Sequence, residues 1–290
     1  PFGILALPST APNIIFDDFE GTDINWTKEG STNPEPKSVL TVSGNKVFVP
    51  YSAAATSDLS KADIYTYNKT LPTSKLLSVT GTMFTEVLGN NYPMLVIVYY
   101  YKDANNWRGL SFLQEKTGQF DQNIRYCGKE DGVEVGFATY GTHIFGGTLT
   151  TIKSKSTTFT ITYNADGTAS MVLENETGTS PVISLCTGPA KIGNNIGFTK
   201  TINANEGQFA LGKCWNWNDG EVYFDNIRMT YEATPAEAAA AFKAEHAEIL
   251  AKDVANVTND DKPLISAAIN DYANMDDSAK ALVETEYAKL

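Results

Sequence analysis

The chain has 290 residues, 42% of them hydrophobic and only 19% charged, because Thr, Asn, Ser and Gly carry much of the polarity. That length affords a core that needs no disulfide staples, and the Thr, Asn and Gly bias favours strands and turns over helices. A net charge of -12 and a pI of about 4.6 would repel a phosphate backbone or an anionic membrane, and no basic patch interrupts that field, so nucleic acid is excluded as an expected partner.

No apolar run approaches the roughly 18 residues that a membrane-spanning helix needs, so direct membrane insertion is not expected. The opening stretch PFGILALPSTAPN, residues 1–13, has a short apolar patch with neither an initiator Met nor a basic flank. It reads as a processed or trimmed start, in keeping with an exported protein that is extracellular or held at the cell surface. Residues 1–12 are taken as a tail.

From Asn13 to Tyr231 the chain runs in short segments rich in Val, Ile, Thr, Tyr and Phe, broken by Gly, Asn, Asp and Pro clusters. SVLTVS (38–43), KVFVPY (46–51), KLLSVTGTMFTEVL (75–88), PMLVIVYYY (93–101), TTFTITY (157–163) and EVYFDNIRMTY (221–231) are the clearest. This is the pattern of an all-β sandwich or barrel. Ser43-Gly44-Asn45, Asp103 to Asn106 (DANN) and Asn164 to Gly167 (NADG) mark hairpin turns, where Gly or Asn can supply a positive φ.

Past Tyr231 the composition changes. Glycine disappears, Ala, Glu, Lys and Leu dominate, and eleven acids against five bases from Ala233 onward account for half of the net charge. Thr234-Pro235-Ala236-Glu237 is a capping box with Pro at the first helical position, predicting a helix from about Pro235 to Val254. A second helix is expected from near Thr258, with Leu264, Ile265, Ala268, Ile269 and Tyr272 on one face. A third, capped by Asp276 or Asp277, repeats that spacing in Ala279, Leu282, Val283, Tyr287 and Leu290. The three close a small bundle over 232–290.

Chemistry has few candidates. A sandwich hydrolase would place acids at alternate positions of one strand, with acid and nucleophile about 5 to 9 Å apart. The nearest stretch is Glu130-Asp131-Gly132-Val133-Glu134, with Gly in the middle and, on an extended strand, roughly 13 Å between the glutamates. His143 and His246 are the only histidines, neither beside a nucleophile motif, so both are expected to be structural or exposed. Lacking a His cluster or a thiolate pair, the sequence argues against zinc or iron. Cys127, Cys186 and Cys214 allow one bridge at most, and buried free thiols on strands are the expectation.

Calcium needs only carboxylates and carbonyl oxygens. Asp17, Asp18 or Glu20 near the start, with Asp225 and Asn226 near the end of the β region, are the candidate ligands of a structural calcium ion; otherwise no cofactor is expected. The alternative is that Asp225 and Asn226 hydrogen-bond neighbouring loop backbone. Sugar recognition asks for exposed flat aromatics bordered by hydrogen-bonding side chains. Trp107 with Asn105, Asn106 and Arg108, and Trp215 with Trp217, supply such clusters, and Tyr99 and Tyr101 share one face of their strand. Strand aromatics are more often core residues, so packing of these rings in the core or a hairpin is the competing reading.

The order IIFDDFEG, VYYYKDANNWRGLSFLQE, TFTITYNADGTASMVLEN, NNIGF and VYFDNIRMTYE resembles the concanavalin A-like, laminin G-like jelly-roll domains of bacterial surface and carbohydrate-active proteins. The resemblance covers residues 13–231 and implies a jelly-roll β-sandwich whose first and last strands lie close together. The stretch VTNDDKPLISAAINDYANMDDSAKALVETEYAKL, ending at Leu290, is similar to helical modules of secreted or wall-attached Gram-positive proteins. This second resemblance implies a surface-exposed spacer within a longer multi-domain polypeptide.

The expected fold is therefore mainly β, a concanavalin A-like jelly roll with a small C-terminal three-helix module. The expected function is non-catalytic carbohydrate binding, with a polysaccharide or other glycan as partner, held by aromatic stacking and amide hydrogen bonds. Alternatives are a surface adhesion module that binds protein, and a glycoside hydrolase or lyase with an unrecognised acid pair.

Overall fold

The computed structural model describes residues 13–21, 23–29, 40–48, 63–72, 74–85, 94–113, 123–136, 148–152, 154–186, 191–192, 195–196, 198–214, 222–253 and 255–290. The chain divides into two compact units, one holding Ile15–Leu71 and Leu76–Thr230, the other Tyr231–Leu290 with Pro72–Lys75.

The first unit is built from strands. They are β1 (Asn13–Asp17), β2 (Trp26–Glu29), β3 (Thr41–Ser43), β4 (Lys46–Phe48), β5 (Asp63–Tyr67), β6 (Leu76–Thr85), β7 (Met94–Asp103), β8 (Asn106–Leu113) and β9 (Asn123–Glu130). Then follow β10 (Val133–Gly136), β11 (Thr157–Tyr163), β12 (Ala169–Asn175), β13 (Gly178–Thr179), β14 (Ile183–Ser184), β15 (Lys191–Ile192), β16 (Asn195–Ile196), β17 (Gln208–Cys214) and β18 (Val222–Tyr231). One sheet runs β13-β12-β11-β6-β18-β4-β3, with β1 also on β18 and β14 on β12; the second runs β10-β9-β8-β7-β17-β5-β2. The chain passes from sheet to sheet, so that β6 lies between β11 and β18, and β17 between β7 and β5. This is the mainly β jelly-roll sandwich that the sequence predicts.

Period-2 patterning explains the interior. In β11 the burial strictly alternates, pointing Phe159, Ile161 and Tyr163 inward opposite Leu173, Met171 and Ala169 of β12. Phe159 stacks on Phe209 of β17 at 6.1 Å, and Phe209 meets Trp26 of β2 edge-on at 6.1 Å, so aromatic contacts bind sheet to sheet. Gly81 stands opposite Phe159 because a Cβ there would come within 2.6 Å of that ring and 2.5 Å of Ile227.

Two of the predicted turns follow their chemistry closely. Gly44 and Asn45 both take positive φ, 57° and 60°, between Ser43 and Lys46. In NADG, Gly167 takes φ 82° while Asp166 accepts from the Thr168 backbone N–H at 2.9 Å. The DANN turn differs: neither Ala104 nor Asn105 has positive φ, and the carboxylate of Asp103 holds the turn instead, accepting from the Asn105 N–H at 2.8 Å.

The closing strand β18 is kinked at its Asp-Asn pair. Asn226 takes φ 52°, and the buried positions shift from Val222 and Phe224 to Ile227, Met229 and Tyr231, the change of phase a bulge produces.

The second unit contains α1 (Pro235–Glu245), α2 (Ala247–Leu250), α3 (Lys262–Asn274), α4 (Asp277–Ala281) and α5 (Glu284–Tyr287). The capping box forms as predicted, with the Thr234 hydroxyl accepting from the Glu237 N–H at 3.3 Å and the Glu237 carboxylate accepting from the Thr234 N–H at 2.8 Å. The first predicted helix is interrupted at His246 (φ -99°, ψ 16°), and Val254, its expected end, lies outside the described residues. Asp276 caps the third by accepting from the Ala279 N–H at 2.9 Å. Ala238, Phe242, Ile249, Leu250, Ala268, Met275, Ala279 and Val283 form its core. Of the face predicted for α3, only Ala268 is fully buried; Leu264 and Ile269 are exposed, because the predicted stripe is broader than this bundle covers.

Candidate functional site

Two hairpin turns of the seven-stranded sheet are latched together at one end of the sandwich. Asn106 Oδ1, in the β7–β8 turn, accepts from the Asp131 backbone N–H at 3.0 Å, and the Gly132 N–H donates to the Asn105 carbonyl at 2.9 Å. Asp131 and Gly132 take φ 52° and 79°, forming a tight two-residue turn that pairs Glu130 with Val133 and Lys129 with Glu134. Glu130-Asp131-Gly132-Val133-Glu134 is thus a hairpin and not the extended strand on which the sequence-based glutamate separation rests.

A third wall comes from residues 198–206, which are tied to one carboxylate. Glu130 accepts from the Thr199 N–H at 3.2 Å, the Lys200 N–H at 3.4 Å, the Thr199 hydroxyl, and Arg108 Nη2 at 3.2 Å. Arg108 is 2% exposed and satisfies its fork elsewhere, donating to the carbonyls of Cys186 at 3.2 Å and Lys200 at 2.5 Å, while its guanidinium lies 4.0 Å from the Phe198 ring centroid. Such a pair, buried and fully hydrogen-bonded, fixes the segment's register against the sheet. The far end is held by Asn203, which accepts from the Asn205 N–H at 3.1 Å, and by the Ala204 N–H, which donates to the Gly167 carbonyl at 2.8 Å.

Between these walls lies a cleft of about 420 Å³, lined by Tyr100, Lys102, Asn106, Arg108, Lys129, Glu130, Asp131, Lys200, Thr201, Ile202, Asn203 and Glu206. Two exposed ion pairs border it: Lys102–Glu206 at 3.5 Å, and Lys200 with Asp131. The hydrogen bond to Asp131 raises the pKa of the Lys200 ammonium, keeping it charged further into alkaline pH. The cleft therefore presents donors, acceptors and both signs of charge beside apolar surface that includes Tyr100 and Ile202.

No family model matches the chain, and no curated protein matches it. Among solved structures, it is similar to a xylan β-1,4-xylosidase from Bacillus halodurans, at 11% identity and a TM-score of 0.44 over 75% of this chain and 39% of that one. A carbohydrate-binding module from Bacillus subtilis is similar at 11% identity and a TM-score of 0.39, covering 71% of this chain and 95% of that one. A module of a Lactobacillus casei phage protein shows 8% identity and a TM-score of 0.41, over 77% and 98%. The chain thus spans about 39% of the xylosidase's length. At such identities and TM-scores the site has to be read from its own residues.

For the described aromatic candidates the core-packing reading holds and ligand contact does not. Trp107 is 2% exposed on β8, paired in register with Tyr101 and Lys129, and so offers no open face to a sugar. Tyr99 and Tyr101 are buried too; the Tyr99 hydroxyl donates to the Leu185 carbonyl at 2.5 Å, and desolvation drives its pKa well upward. Burial of Val96, Ile97 and Val98, all at 0%, shows that both faces of this sheet are covered at its centre. Register shifts in β7 at Val98/Tyr100 and Tyr101/Asp103 break the simple alternation on which the tyrosine reading rested. Arg108 borders the cleft but is spent on internal partners, and Asn105 and Asn106 stand in the turn as latch residues, Asn106 also lining the cleft. Trp215, Trp217 and His143 lie outside the described residues.

The calcium candidates fit poorly. Both oxygens of the Asp17 carboxylate are taken by donors: the Phe19 N–H at 3.0 Å on one, Asn25 Nδ2 at 3.3 Å and the Trp26 indole N–H at 3.0 Å on the other. Asp18 and Asp225 do face each other electrostatically; burial first, then Asp18, raises the Asp225 pKa, with Lys46 opposing. Lys46, 4.4 Å from the Tyr223 ring centroid, already supplies a positive charge that acts on Asp225. Asn226 is used by its αL backbone in the bulge. Among the described residues, Asp17, Asp18 and Asp225 do not converge as a ligand set. Cys127 and Cys186 are free and buried, and burial pushes the Cys127 thiol up to about 12.

The sequence reading missed Lys102, Lys129, Lys200, Thr201, Asn203 and Glu206. They come from separated turns and a loop with no periodic signature, and the available clue was the pairing of turn acids with turn lysines.

Proposed function

We propose that the sandwich is a non-catalytic carbohydrate-binding module of an exported or surface-displayed protein, and that it takes its glycan in the cleft at the β7–β8 and β9–β10 turns. The observation that supports this reading is a cleft lined by many hydrogen-bonding side chains beside apolar surface, with a backbone already fixed by the Arg108–Glu130 pair. A ligand matching it must offer donors and acceptors at many points on a compact scaffold, which a ring bearing several hydroxyls does.

The mode differs from the stacking expected from sequence. Lys102, Asn106, Asp131, Lys200, Asn203 and Glu206 would hydrogen-bond hydroxyls, with Tyr100 and Ile202 supplying what apolar contact exists. Binding is favoured over hydrolysis because Glu130 is filled by four donors and Asp131 is paired to Lys200. Neither stands as a free acid across a bond from a second carboxylate.

A glycan array followed by affinity electrophoresis tests this. Retardation of the native protein by at least one polysaccharide, lost in Lys102→Ala/Lys200→Ala without change in circular dichroism, is the expected result. A folded native protein that binds no glycan overturns it, and release of reducing sugar would replace it with the hydrolase reading.

A further inference from the structure

The geometry points to a zinc-binding site in the helical unit, formed by Glu245, His246 and Asp271, and independent of the glycan cleft. Each residue offers one ligand atom, and the three atoms lie within 4.8 Å of one another. The sequence conceals this set because Asp271 is 25 positions from His246 and the chain has no histidine cluster.

His246 Nε2 is 3.0 Å from Asp271 Oδ2. With zinc–nitrogen and zinc–oxygen bonds of about 2.0–2.1 Å, the edge of a tetrahedral site is about 3.3 Å, so these two atoms are already spaced almost as ligands. The break in the helix at His246, which leaves Glu245 as the last residue of α1, brings both neighbours to the same point. His246 is held in place by Phe242, whose ring meets it at 4.8 Å, and its side chain is 7% exposed while that of Asp271 is 17% exposed. Glu245 is exposed, leaving a fourth position for water.

Charge also favours a cation here. A carboxylate on the last residue of a helix faces the negative end of the helix dipole. Among the described residues no ion pair offsets Glu245, since Lys243, the basic residue of that last turn, is paired with Glu286 at 2.7 Å. Two carboxylates and one imidazole are a borderline oxygen and nitrogen set, which suits zinc better than calcium. On binding, His246 ligates as the neutral imidazole with its proton on Nδ1, the Nε2–H being exchanged for an Nδ1–H through solvent, so that Nε2 and the Asp271 carboxylate both turn to the metal. The ion would clip the end of α1 to α3.

Titration of the whole chain with zinc chloride by calorimetry, with cobalt chloride as an optical probe, tests the site. One zinc per chain and the visible absorption of four-coordinate cobalt are expected, with affinity falling more than about tenfold in Asp271→Asn and in His246→Gln. Asp271→Asn keeps the shape and a hydrogen bond to His246, so its circular dichroism should match the native protein's. Absence of saturable zinc binding overturns the site, as does binding that survives unchanged in both variants, which would mark an adventitious ion only.

Discussion

Arg108 and Glu130 stand 3.2 Å apart with side chains 2% and 11% exposed, and the loop wall of the cleft depends on that pair. Removing one partner leaves the other charge buried and strips the anchor from residues 199–200. Arg108→Ala should destabilise the sandwich by about 3–5 kcal/mol. Urea unfolding monitored by tryptophan fluorescence measures it; a loss under about 1 kcal/mol would show that the pair is merely a surface ion pair.

The same reasoning separates cleft from core. Trp107→Ala, at a 2% exposed position, should cost about 3–5 kcal/mol of stability. Lys102→Ala and Lys200→Ala break only exposed pairs and should leave the melting temperature nearly unchanged. Paired thermal melts of the three variants check the contrast, and a Trp107 variant as stable as the native protein would reopen the aromatic reading.

Asp225 gives a pH dependence with a definite sign. Its pKa is raised above its ordinary value of 3.8, chiefly by burial. A raised carboxyl binds its proton more tightly folded than unfolded, so its stabilising contribution is present below the unfolded pKa and is lost as pH rises through the folded one. Asp225→Asn, which keeps an acceptor for the Asn226 N–H, should therefore raise the melting temperature at pH 7. The gain should shrink toward pH 3. Equal gains at both pH values would assign the effect to something other than titration.

The capping box at Thr234 should matter to the helical unit. Thr234→Ala removes the acceptor for the Glu237 N–H and should cost about 1 kcal/mol. Hydrogen exchange of the first turn of α1 gives the readout, with faster exchange confined to that turn. Thr234→Ser should restore protection.

Much of the fold is legible in the sequence because local rules and tertiary packing agree there. TTFTITY alternates and is buried in alternation, NADG turns on its Gly, and Thr234 caps with Glu237. Where the chain departs from simple period, legibility fails. Three consecutive tyrosines, Tyr99, Tyr100 and Tyr101, are all buried, because a register shift interrupts the strand and the sheet is covered on both faces. The F-D-N motif does lie on the closing strand, yet its Asn is used for backbone conformation. As for the site, Asn106 and Arg108, expected to hydrogen-bond sugar hydroxyls beside Trp107, are a latch and an anchor. The rest of the cleft is assembled by folding from loops that carry no pattern of their own.

The four donors gathered on Glu130 also have a thermodynamic consequence. Because the backbone of residues 199–200 is already committed before any ligand arrives, association need not order that backbone, a cost of about 1–2 kcal/mol for each residue fixed. The entropic loss on binding would fall instead on the exposed side chains of Lys102 and Lys200 as they become immobilised. On the proposed reading, weak individual contacts to a glycan would therefore add up to measurable affinity in this cleft.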